Sequence, residues 1–262
     1  MHHVTRMLET NAFVRCLLID FSNAFDTVDH AILLEKVSKL PLPAYCINWL
    51  ISFLTGRTHT TRNQLIESAP LRINRSIIQG SGIGPTLYII MESDLKSQSQ
   101  FNIIFNYADH TNVFVPQHTE INMKEEFEAI QLWALNNKFI INVAKTKEIV
   151  FRRPNPKYNI DDIIPILGIE QVIEVKLLGV IFNCNLRFCS HLNFILKQCS
   201  QRSFLMKQLR SQGLSRKQLN VVFEAIIVSR LRYGLPAWAG FLTKDSVARI
   251  DAFLRRMFQY GY

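Results

Sequence analysis

The feature that most constrains the fold is a short polar gap between two apolar runs. Phe101, Ile103, Ile104 and Phe105 precede Tyr107-Ala108-Asp109-His110, and Val113, Phe114 and Val115 follow it. β-Prone runs separated by a few polar residues fold back on themselves as a hairpin. An Asp at the tip is then held outside the apolar layer. Taken alone, Asp109 reads either as a turn residue, a common place for Asp, or as a functional carboxylate. A second stretch bears on that choice. Val14-Arg15-Cys16-Leu17-Leu18-Ile19 is largely apolar and stops abruptly at Asp20. Two strands that each end in Asp can lie side by side and offer both carboxylates to one divalent cation. Mg²⁺ favours such hard oxygen ligands and leaves room for substrate phosphates. A pair of such ions activates an attacking hydroxyl and stabilises the leaving oxygen of a phosphoryl transfer.

Around these two strands the chain alternates helical and extended patterns. Val28, Ile32, Leu33, Val37 and Leu40 recur at helical spacing up to Pro41, with Asp26 or Asp29 as the candidate N-cap. A second helix is expected from about Pro43, with Ile47, Leu50, Ile51 and Leu54 on one face and Gly56 just past its end. Residues 56–63 read as a polar, basic loop or hairpin tip, whose Arg57, His59 and Arg62 face either solvent or a nucleic-acid backbone. Residues 71–78 alternate like a strand. Gly80, Gly82 and Gly84 follow, and Pro85 opens a helix containing Leu87, Ile90 and Met91. Those glycines match neither G-x-G-x-x-G nor G-x-x-x-x-G-K, so they read as a strand-to-helix turn that lets a substrate approach the backbone. Met123, Phe127, Ile130 and Ala134 mark another helix. Residues 139–143, 148–151 and 177–182 read as strands, with Lys145 and Lys147 bordering the first two. Arg152-Arg153-Pro154-Asn155-Pro156 reads as an exposed loop.

From Leu186 onward the pattern is helical. Leu192, Ile195, Leu196 and Cys199 line one helix, a Ser215–Gln218 capping box opens the next, and the last follows Thr243. Charge divides at the same place. Residues 183–262 hold 13 Lys and Arg against three Asp and Glu, whereas the rest of the chain nearly balances, for a total of +9. The basic end is a candidate polyphosphate-binding surface or a solubilising helical face. The five cysteines form no C-x-x-C pair, and Cys184, Cys189, His191 and Cys199 match no common zinc spacing, so buried free thiols are expected. The first residues are not signal-like and no apolar run approaches a membrane span, which points to an intracellular chain, in cytoplasm or nucleus, with no membrane partner.

Several of these stretches together resemble the palm motifs of reverse transcriptases, most closely those of non-LTR (LINE-type) retrotransposons. They are Asp20-Phe21-Ser22-Asn23-Ala24-Phe25-Asp26-Thr27-Val28-Asp29-His30, then Gln79-Gly80-Ser81-Gly82-Ile83-Gly84-Pro85, then Tyr107-Ala108-Asp109-His110. Asn142 to Lys147 and Lys176-Leu177-Leu178-Gly179-Val180 resemble two later motifs in the same order. The resemblance implies an α+β polymerase right hand: a palm of antiparallel sheet and packed helices over 1–182, then a basic helical thumb over 183–262. The upstream fingers region is expected to be largely missing. It further implies RNA-templated addition of deoxynucleoside triphosphates to a DNA primer, with two Mg²⁺ ions on Asp20 and Asp109 and Mn²⁺ as a possible substitute. Phe21, Phe25, Gln79 and Gly80 would shape the nucleotide pocket, Phe25 as a gate against a ribose 2′-hydroxyl unless it is simply a core residue. Lys145 would lie near the leaving pyrophosphate unless it is a plain surface lysine. Leu178 and Gly179 would belong to the primer grip.

One position departs from the family pattern. His110 stands where the family carries a second Asp. The alternative to an active polymerase is therefore a retrotransposon remnant that binds nucleic acid without copying it. An unrelated metal-dependent phosphotransferase would account for Asp20 and Asp109 but not for the later motifs.

Overall fold

The computed structural model describes residues 1–153 and 163–262; Pro154, Asn155 and Pro156 of the expected exposed loop lie outside them. The chain opens with α1 (His2–Thr10), β1 (Phe13–Asp20), a single turn α2 (Ala24–Thr27), α3 (His30–Ser38) and α4 (Ala44–Leu54). Four two-residue strands follow, β2 (Thr58–His59), β3 (Arg62–Asn63), β4 (Ile66–Glu67) and β5 (Leu71–Arg72). Next come α5 (Gly84–Glu92), β6 (Ile103–Tyr107), β7 (His110–Pro116), α6 (Met123–Asn136), β8 (Lys147–Arg152) and β9 (Glu170–Val172). The chain ends with β10 (Glu174–Leu177), β11 (Val180–Asn183), α7 (Cys189–Ser211), α8 (Arg216–Phe223), a π-helical turn (Glu224–Val228), α9 (Ser229–Arg232), α10 (Leu235–Trp238) and α11 (Lys244–Gln259). A five-stranded sheet has the order β6-β7-β1-β8-β9, so this is a mixed helix-and-sheet fold.

Two compact units are present. One comprises Arg15–Glu148 and Ile163–Gln171. Its core gathers Leu17 and Ile19 of β1, Leu33 and Val37 of α3, Leu87 and Met91 of α5, Val113 and Val115 of β7, and Phe127 and Ile130 of α6. Fully burying a side chain such as Leu33 contributes about 1.5–3 kcal/mol, so these faces orient the helices on the sheet. Asp29 begins α3 by accepting from the amides of Ala31 and Ile32. Asn122 and Glu125 form a reciprocal capping box at the start of α6. One turn on, the buried Glu126 accepts from the Gln98 and Ser99 amides and the Asn102 side chain, which fixes the approach to β6.

The other unit comprises Met1–Val14, the described residues from Ile149 to Arg153, and Val172–Tyr262. Its core joins Phe188, Ile195 and Cys199 to Leu219, Ile227, Leu231, Trp238, Phe253 and Met257. The expected Ser215–Gln218 capping box is present, and Thr243, which the last helix follows, accepts from the Ser246 amide as its cap. Cys16 and Cys199 are buried thiols as expected, but Cys189 is exposed. Among the described residues no helix is long and apolar enough to cross a membrane.

Three extended readings give way to other structure. Only Leu71–Arg72 of residues 71–78 forms a strand, because the later backbone is taken by the α2–α3 region: His30 N donates to Asn74 O, Ser76 N to Val28 O and Ile77 N to Phe25 O. Residues 139–143 make a single bridge, Ile141 to Phe21. Residues 177–182 are not one strand but the tip of a hairpin, where Leu177 pairs with Val180 across Leu178-Gly179.

Candidate active site

The hairpin around Asp109 follows from its sequence. β6 and β7 pair antiparallel from Ile103–Phe114 to Tyr107–His110, leaving Ala108-Asp109 as a two-residue turn. Ala108 takes a left-handed φ of 50°, which costs a non-glycine residue about 1–2 kcal/mol. The Asp109 carboxylate is 43 % exposed, and His110 Nε2 stands 3.9 Å from Asp109 Oδ1, too far for a hydrogen bond. β7 is the immediate neighbour of β1 in the sheet. The strand that ends at Asp20 therefore lies beside the strand that starts one residue after Asp109.

Asp20 is held by the segment that follows α6. Its amide donates to Thr146 Oγ1 at 3.3 Å, and its carbonyl accepts from the Asn142 amide at 2.8 Å. Thr146 is buried and its hydroxyl returns to Asn142 O, while Asn142 Oδ1 accepts from the Lys145 amide. This local turn projects Lys145 toward the strand end, with Nζ 3.8 Å from Asp20 Oδ2. The Asp20 side chain is only a quarter exposed, whereas Lys145 is 70 % exposed. At that distance and exposure the pair steers charge more than it stabilises the fold.

The nucleotide-pocket candidates separate into distinct environments. Phe25 is half-buried and stacks on Tyr88, with ring centroids 4.4 Å apart. Phe21 is 3 % exposed and packs against Phe139 and Trp133, so its ring belongs to the core and is closed to a ligand. Gln79 Nε2 donates to Asp26 Oδ1 at 3.3 Å. Gly80 has φ +82°, and a Cβ there would meet nothing, so it is the conformation and not crowding that calls for glycine. Gly84 is the reverse case: a Cβ would come within 3.0 Å of Ser81 Oγ.

Two residues escaped the sequence reading. Tyr88 and Glu92, one helical turn apart on α5, are both buried. Tyr88 and Glu92 interact through their side chains, yet among the described residues neither Tyr88 Oη nor Glu92 Oε1 meets hydrogen-bond geometry with a partner. Burial pushes the Glu92 carboxyl up to about 7, against a counteracting pull from the Tyr88 hydroxyl, and the charge of Asp109 adds to the push. Burial likewise raises the Tyr88 phenol, with Glu92 and Asp109 contributing. A charged residue on the same stripe as Leu87, Tyr88 and Met91 was the available signal.

The donor set bears on a metal. Among the described residues no three His, Cys, Asp or Glu side chains gather as a metal cage. Asp20 and Asp109 are partly exposed carboxylates at the ends of neighbouring strands, which fits a Mg²⁺ that takes one or two protein carboxylates and fills its shell with phosphate oxygens and water.

In the other unit, the Leu178-Gly179 turn has φ values of 46° and 84°. Tyr233 Oη donates to Leu178 O at 2.8 Å. A Cβ on Gly179 would lie 3.0 Å from Tyr233 Cε1, and one on Gly234 would lie 3.0 Å from Val180 Cγ2. The turn is thus braced from one side by Tyr233-Gly234.

Comparison with known proteins agrees with the motif order. Residues 5–182 match the family model for reverse transcriptase (RNA-dependent DNA polymerase). The RNA-directed DNA polymerase from mobile element jockey of Drosophila funebris is 28 % identical over 199 residues, 71 % of this chain and 21 % of that protein. The probable RNA-directed DNA polymerase from transposon X-element of Drosophila melanogaster is 24 % identical over 96 % of this chain and 29 % of that protein. The chain thus spans less than a third of the length of these relatives. Among solved structures, telomerase from Candida tropicalis, determined with a fragment of telomeric RNA, aligns over 99 % of this chain and 41 % of that one, with 12 % identity and a TM-score of 0.51. That likeness concerns the fold alone.

Proposed function

The chain belongs to the reverse transcriptase (RNA-dependent DNA polymerase) family, and from that premise we propose that it carries the palm and thumb of a non-LTR retrotransposon polymerase. Residues 1–182 are the palm and 183–262 the basic thumb. The reaction is attack of a primer 3′-hydroxyl on the α-phosphorus of a deoxynucleoside triphosphate paired to an RNA template, with pyrophosphate leaving. The observation that carries this reading is the adjacency, in one sheet, of the strand ending at Asp20 and the hairpin tipped by Asp109. Asp20 and Asp109 hold the divalent ions, for which Mg²⁺ is the natural occupant and Mn²⁺ a substitute; bound there, the metal supplies Lewis-acid stabilisation of phosphate charge. Lys145 balances charge on the leaving pyrophosphate from its position over Asp20. Phe25, supported from behind by Tyr88, presents the edge against which a ribose 2′-hydroxyl would collide. Gln79 and Gly80 lie under the incoming nucleotide, and Leu178-Gly179 grips the primer end.

His110 favours a second reading, in which the chain binds primer and template but copies them poorly. An imidazole in place of a carboxylate removes negative charge where two cations are needed, and it suits Zn²⁺ or Mn²⁺ better than Mg²⁺. Primer extension separates the readings. His110→Asp is expected to raise Mg²⁺-dependent extension by about 10²–10³, the usual effect of one preorganised electrostatic group, while Asp20→Ala abolishes it. Equal activity of the unaltered chain and His110→Asp in Mg²⁺ overturns the defect assigned to His110. Binding of primer–template without extension by either chain supports the binding-only reading.

A further inference from the structure

His191, in the first turn of α7, is 1 % exposed. The Ile181 amide donates to its Nδ1 at 3.3 Å. Ile181 is on β11, one pair beyond the Leu177–Val180 pair that closes the hairpin. Hydrogen-bonded and open pairs alternate along an antiparallel ladder. The Ile181 amide therefore faces away from β10 and needs a partner elsewhere. His191 supplies it. An amide can only donate, so Nδ1 keeps its lone pair and Nε2 carries the ring hydrogen. A second route runs from the same ring to the hairpin tip. His191 meets Trp238 edge-on, with centroids 5.2 Å apart at 79°. Trp238 is fully buried and its Nε1 donates to Tyr233 O at 3.1 Å, while the Tyr233 hydroxyl donates to Leu178 O. One imidazole thus stands behind both a strand of the hairpin and the residue that braces its tip.

A second proton on this ring has one place to go. Nε2 already bears a hydrogen, with no hydrogen-bond partner among the described residues. An added proton falls on Nδ1, the atom that the hairpin uses, so the proton and the Ile181 amide compete for one lone pair. The surroundings do not favour the charge. β11 and α10 carry no ionisable side chain. Lys176 on β10 lies over the Phe194 ring, Arg249 on α11 donates to Asn193 Oδ1, and the Tyr233 hydroxyl is spent on Leu178. On α7 itself Cys189 is exposed. Among the described residues no carboxylate pairs with the ring, and burial is what lowers its proton affinity from the usual 6.5. The neutral form therefore prevails at neutrality, and acidification reaches the charged one.

We propose that His191 is a positioning residue for the Leu178-Gly179 turn: the neutral imidazole holds the hairpin in place, and protonation releases it and weakens the hold on a primer end. The anchor stands on the contacts themselves; its effect on a primer rests on the primer-grip reading above.

The test follows the full chain, carrying isotope-labelled glycine and histidine, by nuclear magnetic resonance from about pH 7.5 to about pH 5. Primer–template affinity is measured by fluorescence anisotropy over the same range. The Gly179 amide should move with the same midpoint as the His191 ring, below about 6.5, while Gly213, past the end of α7, stays still. Acidification charges the other histidines and by itself tightens binding to a polyanion. Release of the grip has the opposite sign, a loss of about 5-fold, the worth of one hydrogen bond. His191→Asn keeps an acceptor at the Nδ1 position without the titration. It should bind within about 2-fold of the unaltered chain at neutral pH and lose the acid weakening. His191→Phe keeps a ring without the acceptor and should bind about 5-fold more weakly already at neutral pH. Gly179 that stays still while His191 titrates, or the same acid weakening in His191→Asn, overturns the proposal. So does Gly213 moving together with Gly179, which marks unfolding and not release. The resonance test uses the unaltered chain, so it decides even where a variant fails to fold. Gly179 that follows His191 while primer affinity tightens overturns the effect on the primer and the primer-grip reading with it. Primer extension by His110→Asp tests the polymerase reading separately, so the two failures are told apart.

Discussion

Replacing Gly179 by Ala probes the primer-grip turn most directly. Gly179 sits at φ +84° in a two-residue hairpin whose partner, Leu178, is also left-handed. Moving an L-residue into that region costs about 1–2 kcal/mol. The new Cβ would also stand 3.0 Å from Tyr233 Cε1. Relief requires the ring to shift by a few tenths of an ångström, which strains the 2.8 Å hydrogen bond from Tyr233 Oη to Leu178 O. That bond is exposed, so its net worth is at the low end, about 0.5–1 kcal/mol. Gly179→Ala should therefore destabilise the chain by about 1.5–3 kcal/mol, summing the backbone and contact effects. A double-mutant cycle separates them. In the Tyr233→Ala background there is no ring to displace, so Gly179→Ala should cost only the backbone part, leaving a coupling of about 1 kcal/mol. Urea unfolding followed by far-ultraviolet circular dichroism measures all four corners. The same cost for Gly179→Ala with and without the Tyr233 ring would refute the brace.

Two further outcomes follow from buried carboxyls. Burial of Asp29 opposes its ionisation, but the Lys138 ammonium and the Ile32 and Ala31 amides outweigh it and hold the carboxyl below the usual range. A depressed folded value contributes stability that is present above the unfolded value, about 3.9, and lost as pH falls through the folded one. Asp29→Ala should then cost about 2–3 kcal/mol at neutral pH from the lost cap and ion pair, and measurably less in unfolding at pH 2.5. Glu92 has the opposite sign. With a folded value of about 7 and an unfolded one of about 4.3, the chain loses stability as pH rises between those values, by an amount on the order of 3–4 kcal/mol. Glu92→Gln should raise the thermal midpoint at pH 8 and leave it nearly unchanged at pH 4; equal shifts at both would mean that Glu92 ionises freely when folded.

Local periodicity and end signals were legible in the sequence. The Asp109 hairpin, the Ser215 and Thr243 caps and the apolar faces of α3, α6 and α7 depend on residues a few positions apart, and spacing and propensity carry that information. The order of the motifs likewise carried the family, since each is a contiguous string. Where backbone partners lie far along the chain, tertiary structure decided. Residues 71–78 have strand-like alternation, yet their amides and carbonyls are drawn to Phe25, Val28 and His30. Leu178 reads as strand, and only the pairing of Leu177 with Val180, backed by Tyr233 from 55 positions later, turns it into a left-handed hairpin tip. Phe21 and Phe25 are the same residue type four positions apart; packing buried one among Phe139 and Trp133 and left the other stacked on Tyr88 at the edge. The raised carboxyl of Glu92 and the lowered proton affinity of His191 arise from burial, a property no residue has until distant segments close around it.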